Sequence, residues 1–72
     1  MGRLKAQFGK RLQQLRRRAG ISQEKLADAT SLTVESISNM ERGVFGPKFD
    51  NLKKIARVLK VQVKALFEFV KE

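Results

Sequence analysis

Residues 33 to 39 read TVESISN and bring small hydrogen-bonding groups close together: Thr33, Glu35, Ser36 and Asn39, with the aliphatic Val34 among them. None is a strong nucleophile without a base beside it, and the chain has neither histidine nor cysteine. The commonest general base, the thiolate nucleophile and the soft metal ligands are therefore missing together. Catalysis would fall to carboxylates and lysines in a chain of 72 residues, too short to enclose a pocket of roughly 300–1,000 Å³ beside a core. The chemistry these residues suit is hydrogen bonding to a partner. An enzyme is not expected, nor a metal, a cofactor or a small-molecule ligand.

Charge narrows the partner. Sixteen Lys and Arg stand against seven Asp and Glu, a formal net charge of +9, which points to a polyanion. Residues 1–18 hold seven of the cations and no acid, and residues 48–64 hold six more against Asp50 alone. A solvated basic surface is the plain alternative; for a chain this short and basic, nucleic acid is favoured. No apolar run reaches the ~18 residues needed to cross a bilayer, and the N-terminus lacks the apolar core of a secretory signal. A cytoplasmic location is expected, with no membrane partner.

The elements that must position these groups are all helical. Leu4, Phe8, Leu12, Leu15 and Ala19 recur at steps of three and four, the stripe of a first helix stopped by Gly20. Ser22 is an N-cap for a second helix and Thr33 for a third, with Glu24 and Glu35 in the first turns, where the dipole favours an anion. Gly43 ends the third, and Gly46-Pro47 punctuates a loop. Leu52, Ile55, Ala56 and Leu59 mark a fourth helix; Val63, Leu66, Phe67 and Val70 mark a fifth. The expectation is a single all-α domain over 1–72, with five helices at about 3–18, 23–29, 34–42, 50–59 and 63–70.

The second and third helices are short and only a few residues apart, the spacing of a helix-turn-helix whose second helix enters the major groove front end first. Small polar residues at that front end allow its free N–H groups close to DNA, while positive charge stays on the flanks. Thr33 then caps the helix, and its hydroxyl is also placed to contact DNA. Glu35 is either a dipole-stabilising acid or an acceptor for cytosine N4, and Asn39 reads adenine, bonds phosphate or faces solvent. Ser22, Ser36, Arg42 and Lys48 are phosphate partners or solvated groups.

The run GISQEKLADATSLTVESISNMERG, followed by LKKIARVLKVQVKALF, resembles the Cro/phage-repressor (XRE-like) family of bacterial DNA-binding domains from about Phe8 to Phe67. The resemblance rests most on Ser22-Gln23 with Leu26-Ala27, on Ile37 with Glu41-Arg42-Gly43, and on Ile55-Ala56, Leu59, Val61 and Leu66-Phe67. It implies a compact lambda-repressor-like domain and a homodimeric transcriptional regulator reading a roughly palindromic operator in double-stranded DNA, nucleoid-associated when bound. It also implies that Val34 faces bases, although its spacing with Ile37 and Met40 suits a buried row equally. Gln23 would contact the DNA backbone, and Arg16 and Glu41 would form a structural ion pair. The chain departs from the family at Ser31, where glycine is frequent, at Thr30, where an aliphatic is usual, and at Lys48, where Ser or Thr often caps. Antitoxins use the same domain, so the alternative is a protein-interaction module with DNA binding secondary. Charge-driven, non-specific nucleic-acid binding is a third reading.

The phenylalanines divide by position. Phe8 and Phe67 lie on stripes and are expected in the core, and Phe49 is expected to pack just ahead of the fourth helix. Phe69 falls off its stripe, so with Leu66 and Val70 it is the candidate homodimer contact. Phe45 either shields the edge of the core or lies against the sugar-phosphate backbone.

Overall fold

The computed structural model describes residues 3–69, of which no part forms a strand. Four α-helices follow one another: α1 (Arg3–Arg18), α2 (Gln23–Thr30), α3 (Val34–Glu41) and α4 (Phe49–Leu59). A 3-10 turn at Val63–Phe67 completes the described chain. α1 is the spine: at 1.5 Å per residue its 16 residues run about 24 Å, most of the 31 Å long axis. α3 and the 3-10 turn pack on α1, while α2 and α4 pack on each other.

The apolar stripes account for the core. Phe8, Leu12 and Leu15 of α1 meet Leu26 and Ala27 of α2, Ile37 and Met40 of α3, and Ile55, Ala56 and Leu59 of α4 in one buried cluster closed by Leu66. The ends of the α1 stripe do not join it, since Leu4 is 58% exposed and Ala19 lies beyond the helix.

Each α-helix is followed by a left-handed residue, but only two of these are glycine. Gly20 has φ 74° and closes α1, with its N–H donating to Arg17 O and the Ile21 N–H to Arg16 O. Gly43 does the same for α3 at φ 77°. Ser31 and Lys60 adopt φ 61° and 60° after α2 and α4. Ser31 is exposed, so its Cβ carries strain of about 1–2 kcal/mol with no packing in return. Ser31→Gly removes that strain but frees the unfolded chain by about 0.5–1 kcal/mol. A net gain is expected, read as a thermal midpoint raised by a few degrees; a lower midpoint would show that Ser31 contributes something besides backbone shape. Thr30 is 1% exposed, and its hydroxyl donates to Leu26 O at 2.7 Å, so the site takes a threonine without burying an unpaired donor.

Helix ends differ from expectation by one residue: α2 reaches Thr30, α3 ends at Glu41, and α4 begins at Phe49. The fifth element differs in kind. It is a five-residue 3-10 turn, not an α-helix to residue 70, and Val70 itself lies outside the described residues. Continuing an α-helix would require the Ala65 carbonyl to accept from residue 69. Instead it accepts from Arg11 Nε at 2.9 Å and from the Glu68 N–H at 3.3 Å.

The tighter turn re-sorts the side chains. At three residues per turn Phe67 swings off the face that holds Leu66. Leu66 is fully buried, so the expectation that it lies at a dimer contact is corrected: it is core. Phe67, expected in the core, is 40% exposed and covers Phe8, ring centroids 5.4 Å apart. Phe69 is half-buried, with the edge of its ring on Phe67. Phe49, expected to pack, is 88% exposed; the inward face of α4 starts one turn later, at half-buried Leu52.

Candidate nucleic-acid interface

α3 is tied at its back end and open at its front. At the back, Glu41 is buried against α1, where Arg16 Nε donates to its Oε2 at 2.6 Å and Arg16 Nη2 to its Oε1 at 3.1 Å. Arg16 also donates from Nη1 to Ile21 O at 2.9 Å, just ahead of α2. The structural ion pair therefore joins α1, the entrance to α2 and the end of α3. Two glutamines complete it: Gln23 Nε2 donates to Glu41 Oε1 at 2.9 Å, and Gln13 Nε2 at 3.4 Å. Among the described residues no buried side-chain polar atom lacks a partner.

At the front, Thr33, Val34 and Glu35 are all exposed, Val34 by 41%. Val34 is thus outside the buried row of Ile37 and Met40. Thr33 Oγ1 accepts from the Ser36 N–H at 3.0 Å and donates to Ser36 Oγ at 3.0 Å, a cap locked in both directions. One of the two hydroxyl hydrogens is used in that bond, and the other stays free. By helix geometry the N–H groups of Val34 and Glu35 have no acceptor inside α3. Asn39 is half-buried farther along the same helix.

The flanking residues come from three segments. Ser22 caps α2 by accepting from the Lys25 N–H at 3.0 Å. Gln23 is half-buried and commits its amide nitrogen to Glu41, which qualifies its expected backbone contact: its main-chain N–H, at the first position of α2, has no acceptor inside that helix. Arg42 and Lys48 are exposed at the two ends of the loop after α3. Lys48 gives α4 no side-chain cap, as the departure from Ser or Thr there implies. Ser36 and Lys48 line one small hollow with Phe45, of about 290 Å³. Phe45 is 40% exposed at its rim.

One residue that shapes the site went unassigned in the sequence. Gly9 lies in the middle of α1 with its α-carbon against the last turn of α3: a Cβ there would stand 2.4 Å from Met40 O and 2.6 Å from Glu41 O. A glycine interrupting a helical stripe is the available signal for such close approach.

A helix-turn-helix family model matches residues 12–66, more than half the chain. The chain belongs to the helix-turn-helix family. Its members of this XRE type are DNA-binding transcriptional regulators, not enzymes. The control protein C.BamHI of Bacillus amyloliquefaciens is 41% identical over 63 residues, covering 86% of this chain and 78% of that protein. The helix-turn-helix transcriptional regulator PuuR of Escherichia coli (strain K12) is 38% identical over 64 residues; the match takes in 89% of this chain but only 33% of PuuR. Among solved structures, the restriction-modification controller protein C.AhdI from Aeromonas hydrophila superposes with a TM-score of 0.88 at 33% identity, covering 92% of this chain and 96% of that one. The clp gene regulator ClgR from C. glutamicum, at TM-score 0.81 and 24% identity over 88% and 82% of the two chains, shares the fold. No helix among the described residues is long and apolar enough to cross a membrane.

Proposed function

We propose that this protein is a sequence-specific regulator of transcription that binds a roughly palindromic operator in double-stranded DNA as a homodimer, within a bacterial cytoplasm. α2, the turn through Ser31 and α3 form the helix-turn-helix, with α3 leading into the major groove. One observation carries the reading: α3 leaves its amino end exposed while its other end is held under α1 by Glu41.

Val34 then meets a thymine methyl, and Glu35 accepts from cytosine N4. Asn39, deeper along the helix, is within the same groove. Thr33 and Ser36, whose hydroxyls are bonded to each other, offer one hydroxyl hydrogen between them to the groove beside the cap. Ser22, the Gln23 main-chain N–H, Arg42 and Lys48 meet phosphates and fix register without reading sequence. Self-association draws on apolar surface outside the α1 face, where Phe49 and Val63 are 88% and 38% exposed. The similarity to C.BamHI, a control protein, and to C.AhdI, a restriction-modification controller, supports a regulator of the controller kind.

Selection of bound duplexes from a random pool supplies the operator, and titration then tests the mechanism. If each protomer neutralises three phosphates, the dimer shows a log–log salt slope of about −5. Glu35→Ala is expected to change preference at one base position in each half-site while leaving that slope nearly unchanged. A slope that shifts with no change in preference would place Glu35 outside base readout, and the absence of any saturable duplex complex ends the proposal.

A further inference from the structure

The seven cations of residues 1–18 stand without an acid among them, and α1 arranges three of them in a row. Arg3, Lys10 and Arg17 recur every seven residues, two turns apart, and so lie at intervals of about 10.5 Å. The row is on the side of α1 turned away from buried Phe8, Leu12 and Leu15. Among the described residues none of the three has a carboxylate within ion-pair distance. Phe67 and Phe69, ring centroids 6.3 Å apart, form the opposite border of an open groove of about 1090 Å³ that the row lines, with Gln7, Arg11 and Gln14 between them. Arg11 holds that border in place: it donates to Ala65 O at 2.9 Å and pairs with Glu68 at 3.9 Å, so the one carboxylate at the rim is turned to Arg11.

We propose that this groove docks an acidic segment of a partner protein, with an apolar side chain set among its carboxylates. The row spans about 21 Å, the length of roughly seven residues of polyproline-II chain at ~3.1 Å each, in which every third side chain returns to one face, so acids at that spacing meet all three cations. The two rings supply the apolar anchor that a charged rim alone lacks. Duplex DNA would satisfy the cations but has only polar backbone to offer Phe67 and Phe69. This chain itself offers no such acidic segment, because no two of its acids lie within three residues of each other in sequence. The groove is also separate from the leading end of α3. What α1 meets is the far end of α3, at Gly9 and through Gln13 on Glu41, so the groove leaves the leading end of α3 open to a duplex.

The test titrates the full chain into a short fluorescein-labelled peptide bearing Asp or Glu at every third position and one central leucine, followed by anisotropy. Saturable binding is expected. It should weaken roughly tenfold or more when Lys10→Gln and Arg17→Gln are combined, and by a similar factor when the peptide leucine becomes serine. The second comparison leaves the protein untouched, so loss of folding cannot imitate it. The proposal is overturned if no saturable binding occurs, if the serine peptide binds as tightly, or if a duplex of mixed sequence displaces the peptide from the unsubstituted protein. It is equally overturned if the Lys10→Gln, Arg17→Gln chain sediments as a monomer where the unsubstituted chain sediments as a dimer, since the face would then hold a second copy.

Discussion

Gly9→Ala is expected to take away most of the protein's stability, lowering its thermal midpoint by more than about 10 °C. Helix propensity alone argues the opposite, because alanine is favoured over glycine by about 1 kcal/mol in a helix interior. Sterics decide the outcome. The new methyl would meet Met40 O at 2.4 Å and Glu41 O at 2.6 Å, and both are backbone atoms of the last turn of α3. They cannot turn aside as a flexible side chain would, so α1 and α3 must separate. That separation opens the contact of Phe8 and Leu12 with Ile37 and Met40 and stretches the Arg16–Glu41 pair. Overpacking against fixed atoms costs about 3 kcal/mol or more, and a core this small supplies only about 3–5 kcal/mol of net stability. Thermal melts followed by circular dichroism measure the effect, with Gly46→Ala as the control, because a Cβ at Gly46 meets nothing within 4 Å. A Gly9→Ala melting curve that matches or exceeds that of the unsubstituted chain would show the two helices to be freer than their contact implies.

What the sequence revealed follows from how local each interaction is. Four helices were legible from apolar steps of three and four, and the front ends of α2 and α3 from Ser22 and Thr33, whose caps lie within three residues. The left-handed ends at Ser31 and Lys60 were not, because neither residue type announces a positive φ as Gly20 and Gly43 do. The carboxy-terminal element was misread because its shape is set from 54 residues away, by Arg11 on the Ala65 carbonyl. Once the period falls from 3.6 to three, Phe67 leaves the stripe it shared with Leu66, which alone stays in the core. In the candidate interface, the exposure of Glu35 follows from the buried phase of Ile37 and Met40, whereas the spacing of Val34 suited the buried row equally and only the family resemblance turned it outward. Two features needed coordinates: the attachment of Gln23 to Glu41, and the use of the Thr33 hydroxyl by Ser36. The ion pair of Arg16 and Glu41 was visible only through the family resemblance, as 25 residues separate the partners.

That pair yields the second large effect. Arg16→Met leaves the Glu41 carboxylate, whose side chain is 2% exposed, with only the two glutamine amides for partners. Stranding a buried charge costs about 3–5 kcal/mol, comparable with the stability of the whole domain. Lysine is no substitute, since one ammonium cannot reproduce the Nε and Nη2 pair on Glu41 together with Nη1 on Ile21 O. Removing both charges is a different matter. Arg16→Met combined with Glu41→Leu leaves no stranded ion, and most of the lost stability should return, because apolar replacements of a buried pair are often neutral or better. Melts of the two single variants and the double variant form a cycle that isolates the coupling. If the double variant is as unstable as the two single losses added together, the pair is not what holds α1 to α3. Binding should part company with stability in the recovered variant: Gln23 no longer has Glu41 to hold it, so the first residue of α2 is not fixed relative to α3. On the proposed function, the double variant then folds but binds its operator more weakly than the unsubstituted protein. Equal affinity would mean that the network serves the fold alone.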